Sequence, residues 1–94
     1  ESKQEKEFAS IRFRIMIHEL KIYERYFKEI MNNNKHFELR RDRGFKVGDK
    51  LLLREIENDS LDNYTKSSIT KTVKYISRGV PQFGLMDGFV ILSI

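Results

Sequence analysis

The sequence predicts a mixed β fold with minor α content: a small, partly closed β-barrel of five or six short strands with one amphipathic helix. Three observations carry this prediction. Alternating or continuous apolar runs rich in β-branched residues recur along the chain. Apolar residues follow a helical period in one stretch. Asn, Gly and Pro fall between these runs, where turns need them. A chain of 94 residues makes one domain with a small core.

Residues 1–9 (Glu1-Ser2-Lys3-Gln4-Glu5-Lys6-Glu7 and the two that follow) read as a solvated tail, and residues 10–94 as the domain. Ile11, Phe13, Ile15 and Ile17 alternate with Arg12 and Arg14 in the pattern of a strand, which His18 to Ile22 continues or restarts. The period then changes. Tyr23, Tyr26, Phe27, Ile30 and Met31 form a helical stripe, and Glu24 to Lys28 is a four-residue charge pair on the other side. Asn32-Asn33-Asn34 tolerates left-handed backbone and ends the helix.

Residues 35–41 predict a strand with Phe37 and Leu39 on one face and His36, Glu38 and Arg40 on the other. Gly44 and Gly48-Asp49 mark turns on either side of Phe45 and Val47. Leu51 to about Ile56 reads as a buried strand, and the polar run Asn58 to Ser68 as a loop or long hairpin connection. Ile69 to Ser77 is rich in β-branched residues. Gly79, Pro81 and Gly84 impose an irregular segment, and Phe89 to Leu92 is a strand apolar on both faces.

Composition excludes several classes. The hydrophobic fraction of 39% and aromatic fraction of 12% are too high for a disordered chain. No apolar run spans a bilayer, and the charged start lacks a signal-peptide core, so no membrane contact and a cytoplasmic location are expected. Zero cysteines remove disulfides and thiolate sites. His18 and His36 stand without an acidic cluster at ligand spacing, so neither a metal nor a cofactor is expected. The first residue is Glu1, so a processed or excised piece is expected.

The net charge of +4 is concentrated in one place. Residues 35–54 hold seven basic side chains against three acidic ones, and the remainder balances. Such an excess builds a local potential that attracts anions. Arg40 offers a fork of donors for phosphate, carboxylate or a guanine edge. Glu38, on the same strand face, can hold that fork or accept from a base amino group. Lys35 at the strand start and Lys21 add mobile charge, and Arg41 and Arg43 with Lys46 and Lys50 could track phosphates. Against this stands the plainer reading of an ion pair on a solvated sheet face. Tyr23, Tyr26, Phe27, Phe37 and Phe45 offer stacking surfaces. Periodicity places Phe27 and Phe37 in the core, with Tyr23 or Phe45 partly exposed.

Lys35-x-x-Glu38-x-Arg40 resembles the signature of the ASCH domain family of the PUA-like superfamily, with Asn33 where the family usually has glycine. The chain most resembles the phage and bacterial branch described as a domain of unknown function, DUF3850. The matching blocks are His18-Glu19-Leu20-Lys21, Tyr26-Phe27, Phe37-Glu38-Leu39-Arg40, Asp42-Arg43-Gly44-Phe45, Val47-Gly48-Asp49, Val73-Lys74-Tyr75-Ile76, Gln82-Phe83-Gly84-Leu85 and Gly88-Phe89-Val90-Ile91-Leu92-Ser93-Ile94. They cover residues 18–94. The stretch between Arg40 and Asp42 is one residue shorter than in that pattern.

The resemblance implies a PUA-like barrel with a helix beside it and a cleft near the signature. It also implies binding of RNA or single-stranded nucleic acid, with Lys21, Lys35, Glu38 and Arg40 at the centre and Arg41 and Arg43 at the rim. An enzymatic alternative uses the same cleft as a small amide or nucleoside hydrolase or a ribonuclease, with Lys35 and Glu38 as catalytic groups. Relatives that cleave acylated cytidine carry threonine where this chain has Glu38, so that acyl acceptor is missing. A third reading is a phage-type protein-binding module that pairs a partner through residues 10–17.

Overall fold

A computed structural model of the chain describes residues 15–94. The expected tail over 1–9 and most of the strand expected over 11–17 lie outside the described residues. β1 (Ile17–Tyr23) buries His18, Leu20 and Ile22 and exposes Ile17, Glu19 and Lys21. The apolar phase set by Ile15 and Ile17 therefore does not carry on. Those two side chains are exposed, and the inward set begins one residue later.

Helix α1 (Glu24–Met31) buries Phe27 and Ile30, with Glu24 in its first turn and Lys28 in its last, as the helix dipole favours. It ends as the asparagine run predicts. Asn33 adopts φ 59, a left-handed conformation that asparagine tolerates better than most residues. The backbone amides of Asn34 and Lys35 close back on the Glu29 carbonyl at 2.9 and 3.1 Å.

The remaining strands are β2 (Phe37–Arg41), β3 (Lys50–Ile56), β4 (Tyr64–Thr72), β5 (Tyr75–Ser77) and β6 (Phe89–Ser93), with a 3₁₀ turn at Pro81–Phe83. They form two three-stranded sheets. In the first, ordered β1-β3-β4, β1 runs parallel to β3 and β4 antiparallel, with an irregularity between Arg54 and Ile56. The second, ordered β2-β6-β5, is antiparallel throughout. The fold is thus mostly β with one helix. No closed barrel is found among the described residues; the six strands divide between two sheets.

The run Ile69 to Ser77 is two strands, one in each sheet. The break falls where the Val73 amide donates to the Asp49 carbonyl at 2.9 Å and the Lys74 amide to the Ser93 carbonyl at 2.7 Å. β4 begins at Tyr64, inside the polar run expected to be loop. It is an edge strand whose Thr, Ser and Lys side chains face water on most positions. Both sheets and α1 contribute to one core, centred on Leu20, Ile22, Phe27, Leu51, Leu53, Val90 and Leu92. No helix of the described residues is long and apolar enough to cross a membrane.

Two facing expectations are corrected. Phe37 and Leu39 share a face as predicted, but that face is outward, and Glu38 is turned inward at 3% exposure. Phe45, expected near the surface, is buried at 1%. It packs against His18 at a ring-centroid distance of 4.6 Å.

Candidate functional site

Strand alternation sends Glu38 and Arg40 to the same side of β2. In register they lie opposite Leu92 and Val90 of the central strand β6. The left-handed turn at Asn33 brings Lys35 back beside the start of β2. Its ammonium donates to Glu38 Oε1 at 2.5 Å and to the Phe37 carbonyl at 2.6 Å. From the other side, Arg40 Nε donates to Glu38 Oε2 at 2.8 Å, and Arg40 Nη2 lies 2.7 Å from the same oxygen. Arg40 Nη2 also donates to the Lys21 carbonyl at 2.7 Å, which ties β2 to β1 across the gap between the sheets.

One buried carboxylate therefore holds two cations in fixed positions. Glu38 has both oxygens engaged, and Lys35 and Arg40 are themselves mostly covered. Charge-assisted hydrogen bonds of this kind are short and directional, and the low local dielectric strengthens them. Arg40 Nη1 makes no hydrogen bond among the described residues, and Lys35 uses two of its three donors.

The trio opens onto a cavity of about 520 Å³. Its walls are Tyr23, Tyr26, Phe37, Leu39, Ile22, Ile56 and Leu61, with Lys21, Lys35, Glu38 and Arg40 supplying polar groups. The Lys35 ammonium sits 4.6 Å from the Phe37 ring centroid and 5.7 Å from that of Tyr26. Apolar walls with a few convergent polar groups, at this volume, are the ordinary make-up of a ligand site. Lys21 stands at the mouth, where its ammonium donates to the Leu61 carbonyl at 2.6 Å and Asp62 Oδ1 at 3.0 Å. The hydrogen bond to Asp62 holds that ammonium above its ordinary pKa. Arg25 is held above its usual value in the same way by Asp59, on the same β3–β4 connection.

The structure thus brings together four of the six proposed binding residues: Lys21, Lys35, Glu38 and Arg40. Arg41 and Arg43 do not line the cavity. Alternation turns Arg41 to the opposite face of β2, where its guanidinium lies 5.0 Å from the Phe89 ring centroid, and Arg43 lies 6.0 Å from that of Phe45. Sequence reasoning missed Ile22, Ile56, Leu61 and Asp62. The last two sit in a polar connection with no periodicity to place them.

A second buried polar pair supports the first. His18 Nε2 lies 2.8 Å from Asp49 Oδ2, and that oxygen also accepts the Lys46 amide at 3.0 Å. Burial pushes the Asp49 carboxyl up, but the hydrogen bonds from His18, Lys46 and Met16 outweigh it and hold the group below its ordinary value. The pair fastens the turn after β2 to the start of β1. Among the described residues no group of three or more metal-ligating side chains comes together.

Comparison with known protein families gives one match. A family model described as a domain of unknown function (DUF3850) covers residues 17–94, so the chain belongs to that family. No curated protein matches it.

Proposed function

We propose that this member of the DUF3850 family binds RNA or single-stranded nucleic acid by seating a nucleotide in the cavity of Lys21, Lys35, Glu38 and Arg40. The observation that carries the reading is the convergence of Lys35 and Arg40 on one buried carboxylate at the end of an aromatic-walled cavity. Preset cations with unengaged donors suit a phosphate or a base edge, and rings beside them suit a base face. The Lys-x-x-Glu-x-Arg spacing and the mostly β architecture support kinship with ASCH and PUA-like domains.

The position of Glu38 favours binding over hydrolysis. A general base needs a free lone pair directed at water or substrate. Glu38 is 3% exposed and each of its oxygens already accepts from a cation, so its role in this reading is to orient those cations.

The test is fluorescence anisotropy with a short labelled RNA. A variant carrying Lys35→Met, Glu38→Leu and Arg40→Met removes the charges together and leaves no buried ion behind. Wild type is expected to bind, with affinity falling about sevenfold between 50 and 200 mM salt if about two phosphates are contacted. The folded triple variant is expected to lose binding. Equal affinity in the two proteins rejects the site.

A further inference from the structure

Two kinds of counter-ion serve the cations around the cavity. Lys35 and Arg40 are held by Glu38, which is buried and belongs to a strand. Lys21 and Arg25 are held by Asp62 and Asp59, which are exposed and belong to one connection, residues 57–63 between β3 and β4. That connection, Glu57-Asn58-Asp59-Ser60-Leu61-Asp62-Asn63, carries three carboxylates and no basic residue. It sets four oxygens on the mouth of the site. Asp62 Oδ1 and the Leu61 carbonyl accept from the Lys21 ammonium at 3.0 and 2.6 Å. Asp59 Oδ1 accepts from Arg25 Nη2 at 2.9 Å, and Asn58 Oδ1 from the Arg25 amide at 3.0 Å. Lys21 lines the cavity, and the Arg25 guanidinium lies 5.1 and 5.5 Å from the ring centroids of Tyr23 and Tyr26 in its wall. Leu61, from the same connection, completes that wall.

We propose that residues 57–63 form an acidic strap that stands in for the ligand in the free protein. Asp59 and Asp62 hold Arg25 and Lys21 there, and two phosphates flanking the seated nucleotide displace them and take over both cations. The proposal rests on the nucleic-acid reading of the cavity and adds Arg25 to the residues that meet the ligand. The chemistry matches at each position. A carboxylate and a phosphodiester are both oxyanions that take charge-assisted hydrogen bonds from an ammonium or a guanidinium. The strap and an anionic ligand cannot hold the same two cations at once, and like charge drives them apart.

The strap is built to leave. None of its residues is buried, and the Asp59 and Asp62 side chains are 78% and 86% exposed. Exposed pairs of this kind contribute little, so the segment belongs to the least stable part of the fold. Its own shape does not depend on the cavity. The Glu57 amide donates to the Asn63 carbonyl at 2.9 Å, the Ser60 amide to the Glu57 carbonyl at 3.1 Å and the Asn63 amide to Ser60 Oγ at 3.1 Å. Those bonds close the connection on itself, so it swings as one piece about the ends of β3 and β4.

Amide hydrogen exchange followed by NMR, with and without a short single-stranded RNA, tests whether the strap leaves. The Asn58 amide, which donates to Glu24 Oε1 at 3.2 Å, and the Arg25 amide should exchange severalfold faster with RNA bound. A loop that only borders the ligand would be slowed instead. Asp59→Asn with Asp62→Asn removes both carboxylates, and asparagine keeps the left-handed backbone of Asp59 at φ 60. This paired variant should bind the RNA about tenfold tighter than wild type at about 50 mM salt. Adding Arg25→Gln should return most of that gain, because the freed guanidinium is then gone. Unchanged or slower exchange in a wild type that binds overturns the strap and leaves the cavity reading standing. So does a paired variant no tighter than wild type, or one that keeps its gain with Arg25→Gln. Binding by the paired variant alone supports the strap, held too firmly for that RNA to displace. If neither protein binds, the nucleic-acid reading falls and the strap with it.

Discussion

Removing Lys35 and Arg40 without removing Glu38 should damage the fold more than removing all three. Glu38 is 3% exposed, and its two oxygens are held by those two cations. With both partners changed to methionine, a carboxylate remains where water hardly reaches. Breaking a buried pair in this way costs about 3–5 kcal/mol. Rotation of Glu38 toward the cavity would recover part of that, so about 3 kcal/mol is the expected loss. A domain of this size is stable by roughly 5–14 kcal/mol, so the loss is a large share of the total. In urea, with a slope of about 1.5 kcal/mol per molar, the midpoint should fall by about 2 M. The triple variant with Glu38→Leu leaves no stranded charge and should lie within about 1 kcal/mol of wild type, or above it. Urea unfolding followed by far-UV circular dichroism measures all three proteins. If the double variant loses less than about 1 kcal/mol, or the triple loses as much as the double, Glu38 is not held as described.

Three further outcomes are expected. Asp62→Asn should leave stability nearly unchanged, because its pair with Lys21 is exposed. It should tighten RNA binding up to about fivefold by freeing the Lys21 ammonium, and an unchanged or weaker Kd would refute the competition between Asp62 and ligand. Asp49 has a folded-state pKa below its unfolded one, so the stability it contributes is complete above about pH 4 and is lost as pH falls through the lowered value. Urea midpoints for Asp49→Asn should therefore fall less steeply than for wild type below about pH 4, and parallel curves would show that the group adds nothing. At the left-handed position Asn33, alanine should cost about 1 kcal/mol in thermal unfolding and glycine almost nothing, whereas a silent alanine would place the helix end elsewhere.

Much of the fold was legible because local periods were clean. The stripe from Tyr23 to Met31 marks α1, Leu51 to Leu53 marks β3, and Gly44 and Gly48 take positive φ where turns were expected. The trio of Lys35, Glu38 and Arg40 was legible as neighbours in sequence, although β2 itself begins only at Phe37. Its inward direction was not. Alternation separates two faces but does not say which is buried, and here a carboxylate with two local cations satisfies its own charge inside. That leaves Phe37 and Leu39 on the more exposed face, where both border the cavity. Phe45 sits between two glycine turns in a run too short to show a period. His18 and Asp49 meet through the parallel pairing of β1 with β3, and no local pattern announces a contact between residues 31 apart. The split at Val73 and Lys74 was hidden for a similar reason: a continuous β-branched run gives no sign that its halves join different sheets.

The position of β6 has a consequence for how the protein comes into being at the ribosome. Among the described residues, β2, which carries Glu38 and Arg40, has β6 as its only neighbour within the sheet. β6 follows both β2 and β5 in chain order, so these two leave the exit tunnel before their shared partner exists. A nascent chain halted before Phe89 would have its first sheet within reach but no support for Glu38, so maturation of the binding centre waits on translation of the segment 89–93. A chain cut just ahead of that segment would therefore leave Glu38 and Arg40 on a strand without its partner.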